Sequence, residues 1–174
     1  MRSEEVMFKL ITEIAEKDER IRAVYMNGSR TNPNVPKDMF QDYDIVYVVT
    51  ETSSFINDDK WIRKFGEVLM MQEPDKLDNH IGLKNIDYNS SYTYLMLFKD
   101  GNRIDLRIQT KEEMIKVYRN DKLPVPLLDK DQILPRTAAA TDMDYHVLPP
   151  TTPMFENCTN NFWWCLQNVA KGIW

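Results

Sequence analysis

Apolar residues follow two different spacings along the chain, and the difference separates helices from strands. In the first segment they recur three and four positions apart among charged residues, which predicts an amphipathic helix that ends near residues 18–20. Short β-branched or alternating runs predict strands at residues 21–26, 41–49, 92–98 and 103–108. The dipeptide Asp100-Gly101 joins the last two runs and is typical of a hairpin turn.

The same spacing argument predicts three further helices. An apolar stripe indicates one at residues 58–71, and the Thr-x-x-Glu signature of a capping box begins another over residues 110–118. Thr152-Pro153 has the form of an N-cap followed by proline, so a long helix is expected from there. Apolar residues continue at helical spacing as far as Trp174, where the pattern stops without a capping residue or a helix breaker.

Three stretches show little periodicity. Residues 31–40 contain two prolines and are predicted to form a loop, and residues 73–91 are polar and irregular. Residues 124–150 also contain several prolines and are predicted to form a long connector.

The composition indicates a globular protein. The chain has 174 residues, of which 43% are hydrophobic, so it can form one core and part of a second. Its formal net charge is −5, and its 22 basic residues are interleaved with 27 acidic ones. Nucleic acid is therefore not an expected partner, because proteins that grip its backbone normally have a basic patch. No apolar run approaches a membrane span and the first residues begin no signal peptide, so a cytoplasmic protein without a membrane partner is expected.

The run at residues 41–49 begins with two carboxylates. Asp42 and Asp44 are two positions apart, so in a strand their side chains point to the same face. Two like charges this close repel each other, which raises a pKa or requires a cation between them. Mg²⁺ is the usual cation, because it binds one or two carboxylates together with substrate phosphates.

Two other features suit phosphate chemistry. Gly28-Ser29 follows a predicted strand and offers backbone N–H groups and a hydroxyl to a phosphate, and Asp105 adds a third carboxylate. If these parts are neighbours in one sheet, they form a site for phosphoryl or nucleotidyl transfer, with two metal ions in the two-metal form. Each part also has an ordinary interpretation: a solvated acid pair, a simple turn, and an ion pair of Asp105 with Arg103 or Arg107.

Together these parts resemble a known superfamily. A Gly-Ser turn, then Asp-x-Asp, then an acid on a later strand is similar to the nucleotidyltransferases built on the DNA polymerase β palm. Gly-Ser-Arg-Thr-Asn-Pro-Asn-Val-Pro at 28–36 and Phe-Gln-Asp-Tyr-Asp-Ile at 40–45 resemble the aminoglycoside 6-adenylyltransferases, the streptomycin-modifying enzymes. Further similar stretches are Phe65-Gly66, Met70-Met71-Gln72, Asp100-Gly101-Asn102, Leu127-Leu128-Asp129-Lys130-Asp131 and Phe162-Trp163. The resemblance covers nearly the whole chain in order.

The resemblance implies an α/β (α+β) nucleotidyltransferase fold with a mixed β-sheet flanked by helices. Residues 1–135 are expected to be the catalytic domain, and residues 136–174 the connector and first helix of a truncated C-terminal helical domain. The implied activity is Mg²⁺-dependent transfer of AMP from ATP to a hydroxyl of an aminoglycoside, with streptomycin first. The products are pyrophosphate and a modified antibiotic, and the consequence is antibiotic resistance.

The resemblance also implies roles for individual residues. The metal ligands, for two Mg²⁺ ions, are expected to be Asp42, Asp44 and Asp105. Asp105 has a second implied role as the general base, because a carboxylate within hydrogen-bond reach of the acceptor hydroxyl can take its proton. The residues expected to hold the phosphates of ATP are Gly28, Ser29 and Arg30.

Three alternatives remain open from the sequence. One is a nucleotidyltransferase with a different acceptor, such as a lincosamide or a toxin–antitoxin partner. Another is a nucleotide-binding fragment that is inactive without the rest of its C-terminal domain. A manganese-dependent glycosyltransferase also uses Asp-x-Asp, but it normally needs a longer segment before that motif than the 41 residues present here. The sequence does not determine the oligomeric state.

Overall fold

The strands pair into one mixed β-sheet. The computed structural model describes residues 1–58, 60–83 and 85–173. Its strands are β1 Ile21–Asn27, β2 Tyr43–Val49, β3 Val68–Gln72, β4 Ser91–Phe98, β5 Arg103–Thr110 and β6 Val125–Asp129. They lie in the order β3-β4-β5-β2-β1-β6. β2 and β5 run parallel in the centre, and the other neighbouring pairs are antiparallel. The predicted mixed sheet is therefore confirmed.

Helices and short 3-10 segments connect the strands. The α-helices are α1 Glu4–Lys17, α2 Ser53–Ile56, α3 Pro74–His80, α4 Lys111–Val117 and α5 Thr152–Gly172. The 3-10 segments are Trp61–Phe65, Tyr118–Asn120 and Met143–Tyr145. The predicted start of α4 is confirmed, because the Thr110 hydroxyl accepts a hydrogen bond of 3.3 Å from the backbone N–H of Glu113.

Helices cover both faces of the sheet because the strands alternate. On one face Tyr47 is fully buried, and its hydroxyl donates a hydrogen bond of 2.7 Å to the carbonyl of Ile11 in α1. On the opposite face Val46 and Val48 pack in a smaller cluster with Met114 of α4. Even-numbered residues of β2 therefore point to the α4 face, and Asp44 belongs to this set.

The predicted helix at residues 58–71 is wrong. The structure has the 3-10 segment Trp61–Phe65 followed by Gly66 and then β3. Gly66 has a φ of 136°, a conformation that interrupts a helix and that side-chain-bearing residues rarely adopt. The first half of the apolar stripe is buried, whereas Leu69 is 62% exposed on an edge strand. Asp59 in this range lies outside the described residues.

Two stretches predicted to be irregular contain regular structure. Residues 73–91 include α3, while Lys84 lies outside the described residues. Residues 124–150 include β6, which pairs antiparallel with β1 at the end of the sheet. A proline at position 126 obscured this strand in the sequence, although an edge strand tolerates proline because it has one unpaired side.

The chain divides into two compact units, Met1–Asp144 and a second one that begins at Tyr145. The second unit contains the predicted long helix, now α5, but its N-cap is Thr151, one residue before the predicted position. The Thr151 hydroxyl accepts from the backbone N–H of Met154 at 3.4 Å. Trp174, the predicted end of the pattern, lies outside the described residues. Among the described residues no helix is both long and apolar enough to cross a membrane.

Candidate active site

Three carboxylates meet on the α4 face of the sheet. The parallel register of β2 and β5 places Asp44 directly opposite Asp105. Asp42 lies two residues before Asp44 and points the same way. One oxygen from each of Asp42, Asp44 and Asp105 lies within 4.8 Å of the others. The structure therefore brings together the three acids that the sequence suggested.

The three carboxylates repel one another, and a bound cation would reduce this repulsion. Burial, followed by the charges of Asp42 and Asp105, raises the pKa of Asp44 to about 6. Arg103 and Arg30 oppose this shift only in part. Mg²⁺ takes oxygen ligands, usually one or two carboxylates together with substrate phosphates, so this group of acids fits that ion.

Arg103 holds Asp105 in place. Its Nε and Nη2 donate to the two oxygens of Asp105 at 2.7 and 2.6 Å, and its Nε lies 3.5 Å from Asp42 Oδ2. The forked pair fixes the carboxylate plane, and the bonded Asp105 carboxylate raises the pKa of Arg103. The sequence signal for this pair was the i, i+2 spacing on β5. The ordinary interpretation of Asp105, an ion pair with Arg103 or Arg107, is realised with Arg103, and this pair lies beside Asp42 in the acidic site.

Gly28 is required by the close approach of the turn to the acids. Its φ is 75°, in the region that favours glycine. Asn27, the last residue of β1, pairs with Asp44, so the turn begins beside that carboxylate. A Cβ on Gly28 would lie 1.9 Å from Asp44 Oδ2, so any side chain would displace the acid. The Gly28 carbonyl accepts from the Thr31 hydroxyl at 2.8 Å, which tightens the turn.

Ser29 and Arg30 follow Gly28 in this turn, and Arg30 has protein partners. Its Nε and Nη2 donate to the carbonyl oxygens of Asp42 and Gln41 at 2.8 and 2.7 Å. Its guanidinium lies 3.9 Å from the centre of the Tyr43 ring, and its side chain is only 9% exposed. Arg30 thus joins the turn to the segment that carries the acid pair. Phosphate contacts of Gly28, Ser29 and Arg30 stay a prediction.

A mixed sheet with a Gly-Ser turn beside an Asp-x-Asp pair and a third acid defines a nucleotidyltransferase fold. The sequence profile of the family described as "Streptomycin adenylyltransferase" matches residues 1–174. The chain belongs to that family.

Similar proteins agree with this assignment. The chain is 41% identical over 173 residues to an aminoglycoside 6-adenylyltransferase of Campylobacter jejuni, and 40% identical over 174 residues to one of Bacillus subtilis. These alignments cover 99% of this chain and 58% and 60% of the relatives. A crystal structure of an aminoglycoside 6-adenyltransferase from Bacillus subtilis superposes with a TM-score of 0.61 at 33% identity, covering 99% of this chain and 57% of that one. The chain therefore spans less than two thirds of the length of these relatives.

Proposed function

We propose that this protein transfers AMP from ATP to a hydroxyl of an aminoglycoside, with streptomycin as the first candidate, and so confers antibiotic resistance. The observation that supports this most directly is the cluster of Asp42, Asp44 and Asp105 beside the Gly28 turn. Family membership over the whole chain supports the same activity. Because ATP is the proposed donor, the proposed compartment is the cytoplasm.

The proposed reaction is an in-line displacement at the α-phosphorus. The acceptor hydroxyl oxygen attacks the α-phosphorus, the bond to the bridging oxygen of the β-phosphate breaks, and pyrophosphate leaves. The hydroxyl proton passes to a carboxylate, for which Asp105 is the proposed acceptor. The ion pair with Arg103 keeps both Asp105 oxygens in a fixed plane, which orients their remaining lone pairs.

Mg²⁺ is the proposed metal, held by Asp42 and Asp44 and, in the two-metal form, also by Asp105. Bound there, it neutralises phosphate charge and stabilises the leaving pyrophosphate. The backbone of Gly28 and the hydroxyl of Ser29 are proposed to bind the phosphates from the other side. Arg30 is proposed to position the turn, because its hydrogen bonds to the carbonyl oxygens of Asp42 and Gln41 fix the distance between the turn and the acid pair.

The test is pyrophosphate release from ATP and Mg²⁺ with a panel of aminoglycosides, comparing the wild-type chain with Asp42→Asn. We expect turnover with streptomycin in the wild type and a loss of at least about 100-fold in the variant, by analogy with other electrostatic catalytic groups. Mass spectrometry of the product identifies the modified hydroxyl. Turnover that is unaffected by the substitution would refute the roles given to the acids. A different adenylylated acceptor would refute the substrate.

A second candidate is nucleotide binding without transfer, because the acids and the Gly28 turn that the structure brings together serve the metal and the nucleotide in this proposal. The boundary that we propose between the catalytic domain and the helical domain lies after residue 135. Calorimetry that detects ATP–Mg²⁺ binding, together with no turnover on any acceptor, would select this candidate over the first.

A further inference from the structure

A small cavity lined by both polar and apolar side chains lies next to the acids on the same face of the sheet. It has a volume of about 210 Å³ and lies between β1, β2 and β5 on one side and the end of α4 on the other. Its lining includes Tyr25, Asn27, Arg107, Gln109 and Asp121. Pockets that enclose a whole drug-sized ligand measure roughly 300–1,000 Å³. This cavity is therefore suited to one ring of a larger ligand.

The cavity contains buried polar atoms that the fold does not satisfy. Gln109 is 0% exposed, and its Nε2 donates to the Tyr25 hydroxyl at 2.8 Å. Among the described residues, Gln109 Oε1, Asn27 Oδ1 and Arg107 Nε have no hydrogen-bond partner. An unsatisfied buried polar group costs about 1–3 kcal/mol, so three such atoms around one cavity indicate a place for a hydrogen-bonding group.

The cavity is adjacent to the reacting centre. Asn27 pairs with Asp44 across β1 and β2, and Arg107 lies two residues beyond Asp105 on the same face of β5. Two residues along a strand span about 7 Å. A ring in the cavity would therefore lie beside Asp105, the proposed proton acceptor, and could present a hydroxyl to it.

The chemistry of the lining selects the occupant. Two amide oxygens and the nearby carboxylate of Asp121 favour a group with many N–H and O–H donors. Arg107 Nε, which has no hydrogen-bond partner among the described residues, can donate to a ring hydroxyl, while its Nη2 already donates to Ser91 Oγ at 3.0 Å. The Asp121 carboxylate disfavours a triphosphate, although the Arg107 guanidinium offsets part of its charge, and adenine offers one amino group against three ring-nitrogen acceptors. An aminocyclitol or amino-sugar ring, with amines and hydroxyls around its edge, satisfies all three unpaired atoms.

We propose that this cavity binds one donor-rich ring of the aminoglycoside acceptor, with Gln109 Oε1 and Asn27 Oδ1 accepting from its amine or hydroxyl groups. This subsite rests on the proposed function, because the ring belongs to the acceptor in that reaction. It makes Gln109 a binding residue of the acceptor and leaves the nucleotide to the Gly28 side of the acids.

Two substitutions at Gln109 separate binding from structure. Gln109→Leu and Gln109→Glu both remove the N–H that Tyr25 accepts, but only the glutamate variant keeps an acceptor oxygen in the cavity. Calorimetric titration of streptomycin and, separately, of ATP with Mg²⁺ is performed on the full chain and on both variants. Gln72→Leu, an exposed position on β3 outside this cavity, is the matched control.

We expect Gln109→Leu to weaken streptomycin binding about tenfold, the equivalent of one buried hydrogen bond. For Gln72→Leu, the Kd for streptomycin should stay within about twofold of the wild-type value. Gln109→Glu should stay within the same range or bind streptomycin more tightly. ATP binding should change in none of them.

Three results would overturn the subsite. Equal weakening in both Gln109 variants would show a structural role, and weaker ATP binding instead of weaker streptomycin binding would place the nucleotide in the cavity. A wild-type chain that binds ATP but no aminoglycoside would remove the subsite and leave the nucleotide half of the proposed function standing. Conversely, the wild type and the variants could show the expected order of streptomycin affinities while none of them binds ATP. That result would support the subsite and refute the proposed function.

Discussion

Replacing Asp44 with asparagine should stabilise the metal-free chain while removing its response to Mg²⁺. The pKa of Asp44 is raised from its ordinary value of 3.8 to about 6 by burial and by the charges of Asp42 and Asp105. For an acid, a raised pKa in the folded state means that folding disfavours the ionised form. Protonated Asp44 therefore contributes fully to the free energy of unfolding below pH 3.8, and this contribution is lost as the pH rises through about 6.

The size of the effect follows from proton linkage. A shift from 3.8 to about 6 makes ionised Asp44 destabilising by about 3 kcal/mol at pH 7 and by about 1 kcal/mol at pH 4.5. Asparagine is close in shape to the protonated acid and has no charge, so Asp44→Asn should recover most of this free energy of unfolding. For a chain of this size, 1 kcal/mol corresponds to roughly 2–4 °C in Tm.

The assay is urea unfolding in EDTA at pH 7 and at pH 4.5, repeated with Mg²⁺ at pH 7. Glu16→Gln, an exposed change near the end of α1, alters the net charge equally and serves as the control. The wild type should gain stability with Mg²⁺ in proportion to metal binding, whereas Asp44→Asn should not. An Asp44→Asn chain that is no more stable than the wild type in EDTA at pH 7 would refute the electrostatic argument. So would a stability difference that does not shrink at pH 4.5.

Three further substitutions test the parts around the acids. Gly28→Ala should abolish Mg²⁺-dependent stabilisation, because a Cβ would lie 1.9 Å from Asp44 Oδ2 at a φ of 75°; an unchanged magnesium titration would contradict this. Arg30→Lys keeps the charge but loses the forked pair of bonds to backbone carbonyls, so the free energy of unfolding should fall by about 1–3 kcal/mol in urea. A change confined to KM for ATP would instead support a phosphate contact. Thr110→Val should lower the free energy of unfolding by about 1 kcal/mol in the same assay, because it removes the cap of α4, and should leave the magnesium affinity unchanged. A loss of magnesium affinity would show that α4 shapes the site.

Local patterns in the sequence were sufficient for the parts of the site that are close along the chain. The spacing of Asp42 and Asp44 requires a shared face in any strand, and the turn at Gly28 is readable because only glycine adopts its conformation easily. The cap at Thr110 is similarly local, since donor and acceptor are three residues apart. Such features depend on a few neighbouring residues, and packing elsewhere does not alter them.

Periodicity alone was misleading where packing decides the structure. The apolar stripe after residue 60 has helical spacing, but Gly66 interrupts it and the following residues pair with β4 instead. The sequence of β6 lacks the alternation of apolar and polar residues that marks a strand, because its residues are mostly half-buried. β6 is held in the sheet by its hydrogen bonds to β1. In both cases the hydrogen bonds to a distant strand outweighed the local preference.

The sequence by itself determined which residues can do the chemistry: an acid pair on one face, a glycine turn before it and a further acid on a later strand. Only the tertiary structure decided that these belong together, because the parallel pairing of β2 with β5 is a contact between residues about sixty positions apart. The same packing turned Arg30 towards backbone carbonyls and, in the part of the chain that the structure describes, left Gln109 Oε1 and Asn27 Oδ1 without hydrogen-bond partners. No spacing rule contains that information, since it depends on which side chains several strands and α4 bring to one place.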